Sequence, residues 1–246
     1  MMREPRNESD YSERQVEAAY RVLVDVGQVL ASFADCLVIV GGWVPDLLIS
    51  DASVPHVGSI DVDIALDAAR LNDGRYAELL KLLIGTGRYK KGSKAFQLVV
   101  EVDLKDGDKP VQVDVEFLAP KDVKLTKNNL KQFAGFRVLK AEACIEAFKN
   151  PEQLSIKGRT IRGATNTVVV RVAAVSDFLL MKAYAIEGRD KPNSVLQKFA
   201  FHGSSLPVVA VASEQNLRPF TAFNWLSSPM ISFGLPRTAR ISRQLW

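Results

Sequence analysis

The sequence has few of the residues that build metal cages and covalent staples. Only Cys36 and Cys144 are cysteine, and only His56 and His202 are histidine, in a chain of 246 residues. There is no CxxC spacing and neither imidazole has a partner at ligand spacing, which excludes a structural zinc site. Both cysteines lie in apolar stretches and are expected as small buried hydrophobes. No apolar run reaches the roughly 18 residues needed to span a bilayer. The N-terminus, MMREPRNESDYSERQ, is polar where a secretory signal needs an apolar stretch, so a cytoplasmic address with no membrane partner is expected. Acidic residues fail near the end: residues 193–246 hold one, Glu214, against five Lys or Arg, with no steady apolar period.

The rest of the composition is ordinary for a globular chain. Apolar residues make up 47% and charged residues 24%, which supports a core and argues against disorder or a fibre. The length suits one large domain or two modest ones. A net charge of +4 and a pI near 9.0 are compatible with nucleotide or nucleic-acid partners without singling them out.

Along the chain, Val16, Ala19, Tyr20, Leu23, Val26 and Leu30 recur at helical spacing and predict an amphipathic helix over 12–31. Leu37-Val38-Ile39-Val40 reads as a buried strand ended by the turn Gly41-Gly42, with a short helix from Val44 to Ile49. Strands are predicted at 61–66, 96–104 and 111–118, and a helix at 75–84. Beyond Pro120 the pattern predicts a helix near Ala141 to Phe148 and a strand over 167–172. A helix capped by Ser176 or Asp177 follows in DFLLMKAYAIEG.

The chemistry is concentrated in two of these strands. In Asp61-Val62-Asp63-Ile64 successive side chains point to opposite faces, so the two aspartates share one face. Val113-Asp114-Val115-Glu116-Phe117 repeats the pattern. Aspartate is depleted in strands, so acids in two separate strands require an explanation. If the strands pair, the carboxylates repel unless neutralised, and Mg2+, which prefers hard oxygen ligands, would turn that repulsion into binding. Two such ions clamp an in-line displacement at phosphorus. The double glycine lets backbone amides approach phosphate oxygens, with the positive end of a helix behind them. Glu116 reads as a solvated neighbour, while Glu101 and Asp103 in the adjacent run could be confused with Asp114. Trp43 reads as packing under the turn, with base stacking as the alternative, and His56 as an exposed loop residue. Arg88, Lys90, Lys91 and Lys94 read as a solvated basic surface, with RNA phosphates as the alternative.

The order of double glycine, DxD and later strand aspartate carries a resemblance. The stretch VIVGGWVPDLLISDASVPHVGSIDVDIAL resembles the opening of the polymerase-beta-like nucleotidyltransferase superfamily. VVVRVAAVSDFLLMKAYAIEGRDKP is similar to the lysine-bearing helix of its AbiEii/AbiGii-type toxin branch. Together they cover residues 37 to about 192. The resemblance implies that Asp61, Asp63 and Asp114 are catalytic and hold two Mg2+ ions, that Gly41 and Gly42 contact the triphosphate of an NTP, and that Lys182 neutralises phosphate. It also implies a toxin with a cognate antitoxin and an RNA, plausibly tRNA, or protein acceptor. Drug-modifying relatives take small-molecule acceptors, and a catalytically inactive nucleotide-binding or interaction protein is the remaining alternative. After the lysine helix the branch's K-D-x-x-D is missing, since GRDKP runs into Asn193-Ser194-Val195-Leu196.

The expected fold is α/β (α+β): a nucleotidyltransferase core made of a short twisted mixed sheet flanked by helices over 1–120. A mainly helical C-terminal part over 121–192 completes the cleft, and an atypical tail, altered or disordered, occupies 193–246.

Overall fold

The computed structural model describes residues 12–49, 58–71, 74–123 and 136–187. His56, the lysine-rich connection 124–135 and the atypical tail lie outside the described residues.

The chain enters through helix α1 (Glu13–Val29), whose start is set by a capping box. Ser12 Oγ accepts from the Gln15 amide and the Ser12 amide donates to Gln15 Oε1, both at 3.2 Å. The predicted apolar stripe is the buried one: Ala19, Leu23, Val26 and Leu30 enter the core, and Val16 and Tyr20 pack against it. After a 3-10 turn at Ala31–Cys36, the all-buried strand β1 (Leu37–Val40) ends at the glycines and α2 (Trp43–Leu48) follows.

Next come β2 (Asp61–Leu66), α3 (Arg75–Gly85), β3 (Lys90–Lys91), β4 (Gln97–Val102) and β5 (Val111–Pro120). The chain continues with β6 (Leu139–Ala141), β7 (Glu152–Arg159), β8 (Thr165–Val172) and α4 (Val175–Glu187). The strands form one open, twisted mixed sheet in the order β3-β4-β5-β2-β1-β8-β7, with β6 beside β5. Pairs β2–β5, β1–β8 and β5–β6 are parallel, and β1–β2, β3–β4, β4–β5 and β7–β8 antiparallel. One face is apolar across its middle: Ile64, Val100, Val115, Phe117, Val168 and Val170 join residues of α1 and α3 in a single core. This is the expected α/β class.

Three expectations are corrected. Among the described residues of the C-terminal half, helix is the minority: β6, β7 and β8 join the same sheet, and α4 is the long helix. The predicted helix near Ala141 to Phe148 is the end of β6 followed by a 3-10 turn at Glu146–Phe148. Helix α4 begins at Val175, so Ser176 and Asp177 lie inside its first turn instead of capping it. Both cysteines are buried and free, and burial pushes the thiols up, Cys36 to about 11 and Cys144 to about 12. Among the described residues no helix is long and apolar enough to cross a membrane.

Candidate active site

The alternation that aligns Asp61 with Asp63 and Asp114 with Glu116 becomes a shared surface because β2 and β5 run parallel side by side. Their register sets Asp61 beside Asp114 and Asp63 beside Glu116. Val62, Ile64, Val113, Val115 and Phe117, on the opposite face, are fully buried in the core. The four carboxylates therefore form a half-buried row on the face turned away from the core. Asp61, Asp63 and Asp114 come together as the sequence suggests, and Glu116 joins them as a full member of the row.

The turn after β1 closes one side. Gly41 has φ +73°, and a Cβ there would sit 2.0 Å from Asp63 Oδ2, closer than any side chain tolerates. A Cβ on Gly42 would lie 2.6 Å from Ser59 Oγ, which donates to Asp61 Oδ1 at 2.7 Å. The Asp63 carboxylate thus requires Gly41, and the Ser59 hydroxyl that holds Asp61 requires Gly42. Trp43 Nε1 donates to the Asp61 carbonyl at 2.7 Å, and its buried indole packs 5.6 Å from the Tyr20 ring. That burial makes Trp43 a pillar beneath the row and removes the base-stacking alternative.

The other side is closed by the turn between β3 and β4. Gln97 is 3% exposed and its Nε2 donates to Asp114 Oδ2 at 2.8 Å and to Glu116 Oε1 at 3.1 Å. Ser93 Oγ donates to Gln97 Oε1 at 3.3 Å, which orients the amide. Lys94 Nζ reaches Glu116 Oε1 at 2.6 Å, and Gln112 Nε2 donates to Asp114 Oδ1 at 3.3 Å.

Desolvation, reinforced by Asp61 and Glu116, holds the Asp63 carboxyl well above the usual carboxylate range. The charges of Lys182 and Lys94 oppose this rise. Burial also raises Asp114, against the Gln112 hydrogen bond and the charge of Lys94. Lys182 therefore lies within electrostatic reach of the row, on α4 and with its ammonium 5.6 Å from the Phe178 ring. The basic run is divided among tasks: Arg88 pairs with buried Asp25 at 2.7 Å, Lys94 with Glu116, and Lys90 and Lys91 form exposed β3. Asp103 is not part of the row, since it lies beyond β4 and pairs with Lys105 at 2.6 Å. Glu101 faces Gln112 across the sheet and is exposed.

Sequence reasoning missed Ser59, Gln97 and the specific role of Lys94. The available signals were faint: a serine two residues before DxD, and a glutamine opening the Gln97/Val99/Glu101 alternation.

The donor set suits a hard divalent cation, being three aspartate carboxylates beside a glycine whose missing Cβ leaves Asp63 its room. The carboxylates line the two strands without converging on one point, and among the described residues no group of three or more His, Cys, Asp or Glu is placed so that it could by itself hold a metal ion. Mg2+ does not need such a group, because it keeps several waters and usually takes one or two carboxylates plus substrate phosphates.

No family model matches this chain, and no curated protein matches it. Among solved structures, an antigenic nucleotidyltransferase-like protein from Paracoccidioides brasiliensis matches at 17% identity and a TM-score of 0.43. The alignment covers 80% of this chain and 78% of that one. Likeness at that level carries no function across, so the functional reading is built on this chain's own residues.

Proposed function

We propose that this chain is a Mg2+-dependent nucleotidyltransferase that moves a nucleoside monophosphate from an NTP to an acceptor hydroxyl or phosphate. The observation that carries the reading is the registered row of Asp61, Asp114 and Asp63, in which a desolvated carboxylate sits among like charges. Such a row opposes folding unless a cation repays it, and strained ionisable clusters of this kind mark functional sites.

Asp61, Asp63 and Asp114 would hold the ions. When bound, Mg2+ supplies Lewis-acid polarisation of phosphoryl oxygen and stabilisation of the attacking and leaving oxygens. The chain's own share is positioning. The side-chain-free backbone of Gly41 and Gly42 packs against Asp63 and Ser59, which puts the main chain of the turn beside the row that a triphosphate would approach. Lys182 would balance phosphate charge from α4. Ser59 and Gln97 fix Asp61 and Asp114, so their oxygens need little reorganisation. In the transfer, an acceptor oxygen forms a bond to the α-phosphorus while the bond to pyrophosphate breaks and the acceptor's proton is released.

For the acceptor, the resemblance of the DxD and lysine-helix stretches to the AbiEii-type branch supports RNA, with tRNA first to be tried, and a toxin role with a cognate antitoxin. The test is incubation with each α-labelled NTP, Mg2+ and either bulk tRNA or small aminoglycosides. Label is expected in the tRNA. Asp61→Ala and Asp63→Ala are each expected to reduce transfer about a thousandfold or more, the loss of several kcal/mol of transition-state stabilisation. Wild-type transfer by either variant overturns the metal assignment. NTP binding without transfer to any acceptor would mark a nucleotide-binding protein that does not turn over.

A further inference from the structure

The turn between β3 and β4 brings a cation into the carboxylate row. Lys94 Nζ lies 2.6 Å from Glu116 Oε1 and 5.5 Å from the centroid of the Phe96 ring. Exposed lysine–carboxylate pairs ordinarily contribute little. Here, however, the acceptor side chain is only 14% exposed, against 48% for the lysine. The same Glu116 Oε1 also accepts from Gln97, whose amide is buried and simultaneously holds Asp114.

The turn is shaped around that amide. Ser93 donates to Gln97 Oε1, and a Cβ on Gly92 would come within 2.5 Å of the same oxygen.

We propose that Lys94 is a resident counter-charge of the carboxylate row: seated on Glu116 by the Ser93–Gln97 turn, it withholds that carboxylate from divalent ions and limits how tightly the three aspartates bind them. The proposal rests on the metal-binding reading of the row. Without the ammonium, the row would gain one uncompensated negative charge and one free hard-oxygen donor, and both tighten divalent binding. With it, the protein alone holds an ion loosely, and substrate phosphates complete the coordination. Lys94 is thus a positioning residue that acts through Glu116.

Binding is the direct readout, independent of turnover. Full-length protein without nucleotide is titrated with Mn2+, the free ion being followed by electron paramagnetic resonance. Lys94→Gln is expected to bind Mn2+ about three- to tenfold more tightly than wild type, with Lys94→Met behaving alike and Lys94→Arg near wild type. Adding Glu116→Gln to Lys94→Gln is expected to bring the affinity back toward wild type. Unchanged affinity in both Lys94→Gln and Lys94→Met, while wild type binds Mn2+, overturns the proposal and leaves the aspartate site standing. Failure of the wild type to bind Mn2+ overturns both. The exposure of Lys94 favours folded variants, which circular-dichroism melts verify.

Discussion

Asp63 serves two incompatible demands. It faces Glu116 on one side and the tail of β1 on the other, with its carboxylate oxygen against Gly41, and its carboxyl is held well above the usual range by desolvation, Asp61 and Glu116. Its native pKa therefore exceeds the unfolded value, so the native state binds this proton more tightly than the unfolded chain does. Ionised Asp63 thus opposes folding. The penalty is absent below the unfolded pKa, grows as pH rises between the unfolded and native values, and is complete above the native value. In protein held in chelator, the melting temperature is expected to fall as pH rises through that interval. Asp63→Asn is expected to flatten this part of the profile and to melt higher at neutral pH, by about 2–4 °C for each 1 kcal/mol of relieved repulsion. Under the proposed function the same variant is expected to lose transfer. Calorimetric melts across pH check the first claim, and a profile identical to wild type would sink it.

At the scale of elements, helix α1 and strands β1 and β2 were readable because their signals are local. A capping box, a helical stripe and a strict alternation need no distant partner. Strand β7 was invisible for an equally local reason. The positions on its core face are Glu152, Leu154, Ile156 and Gly158, so the first is charged, the last carries no side chain and only two remain to mark the period. The glycine is where α1 docks: a Cβ there would lie 2.7 Å from Tyr20 Cε1 and 3.0 Å from Val24 Cγ2. Tyr20 cannot easily retreat, since its ring packs on Trp43 and its hydroxyl donates to the Lys157 carbonyl at 3.3 Å. Gly158→Ala is therefore expected to destabilise the fold by about 1–3 kcal/mol, the usual result of overpacking. A urea midpoint equal to wild type would show that α1 can shift at no cost. The α4 start was misread because Ser176 and Asp177 are good caps in isolation, yet the chain leaves β8 at Val172 and has already turned into helix by Val175.

At the scale of the whole molecule, a buried ion pair ties the first helix to the far edge of the sheet. Arg88, just before edge strand β3, donates to Asp25 Oδ2 of α1 at 2.7 Å, and the Tyr89 hydroxyl donates to the same oxygen at 2.8 Å. Asp25 is 3% exposed, so removing it leaves a partly buried guanidinium and a buried phenol without their acceptor. Asp25→Ala is expected to cost about 3–5 kcal/mol, and replacing Asp25 and Arg88 together with apolar residues about half of that or less. Chemical denaturation of the single and double variants tests this, and a single variant within about 1 kcal/mol of wild type contradicts it. In the sequence Arg88 was one member of a basic run. Nothing local distinguishes it from Lys90, which stays in solvent, or from Lys94, which turns onto the carboxylates.

Taken alone, the sequence determined which side chains share a face, because the period of a strand is a property of the backbone and survives without neighbours. It therefore determined that Asp61 accompanies Asp63, that Asp114 accompanies Glu116, and that Gly41 and Gly42 end a buried strand. It could not determine who stands beside whom. The parallel register that sets Asp61 against Asp114 depends on a long crossover through α3, β3 and β4, and strand order follows from how the apolar faces cover one another, not from any local signal. The same holds for Gln97 and Lys94, which reach the row only because the β4–β5 pairing lays Gln97 across from Glu116. The aspartate motif is legible one strand at a time, whereas the row of four, its clamp and its counter-charge exist only once the strands are paired.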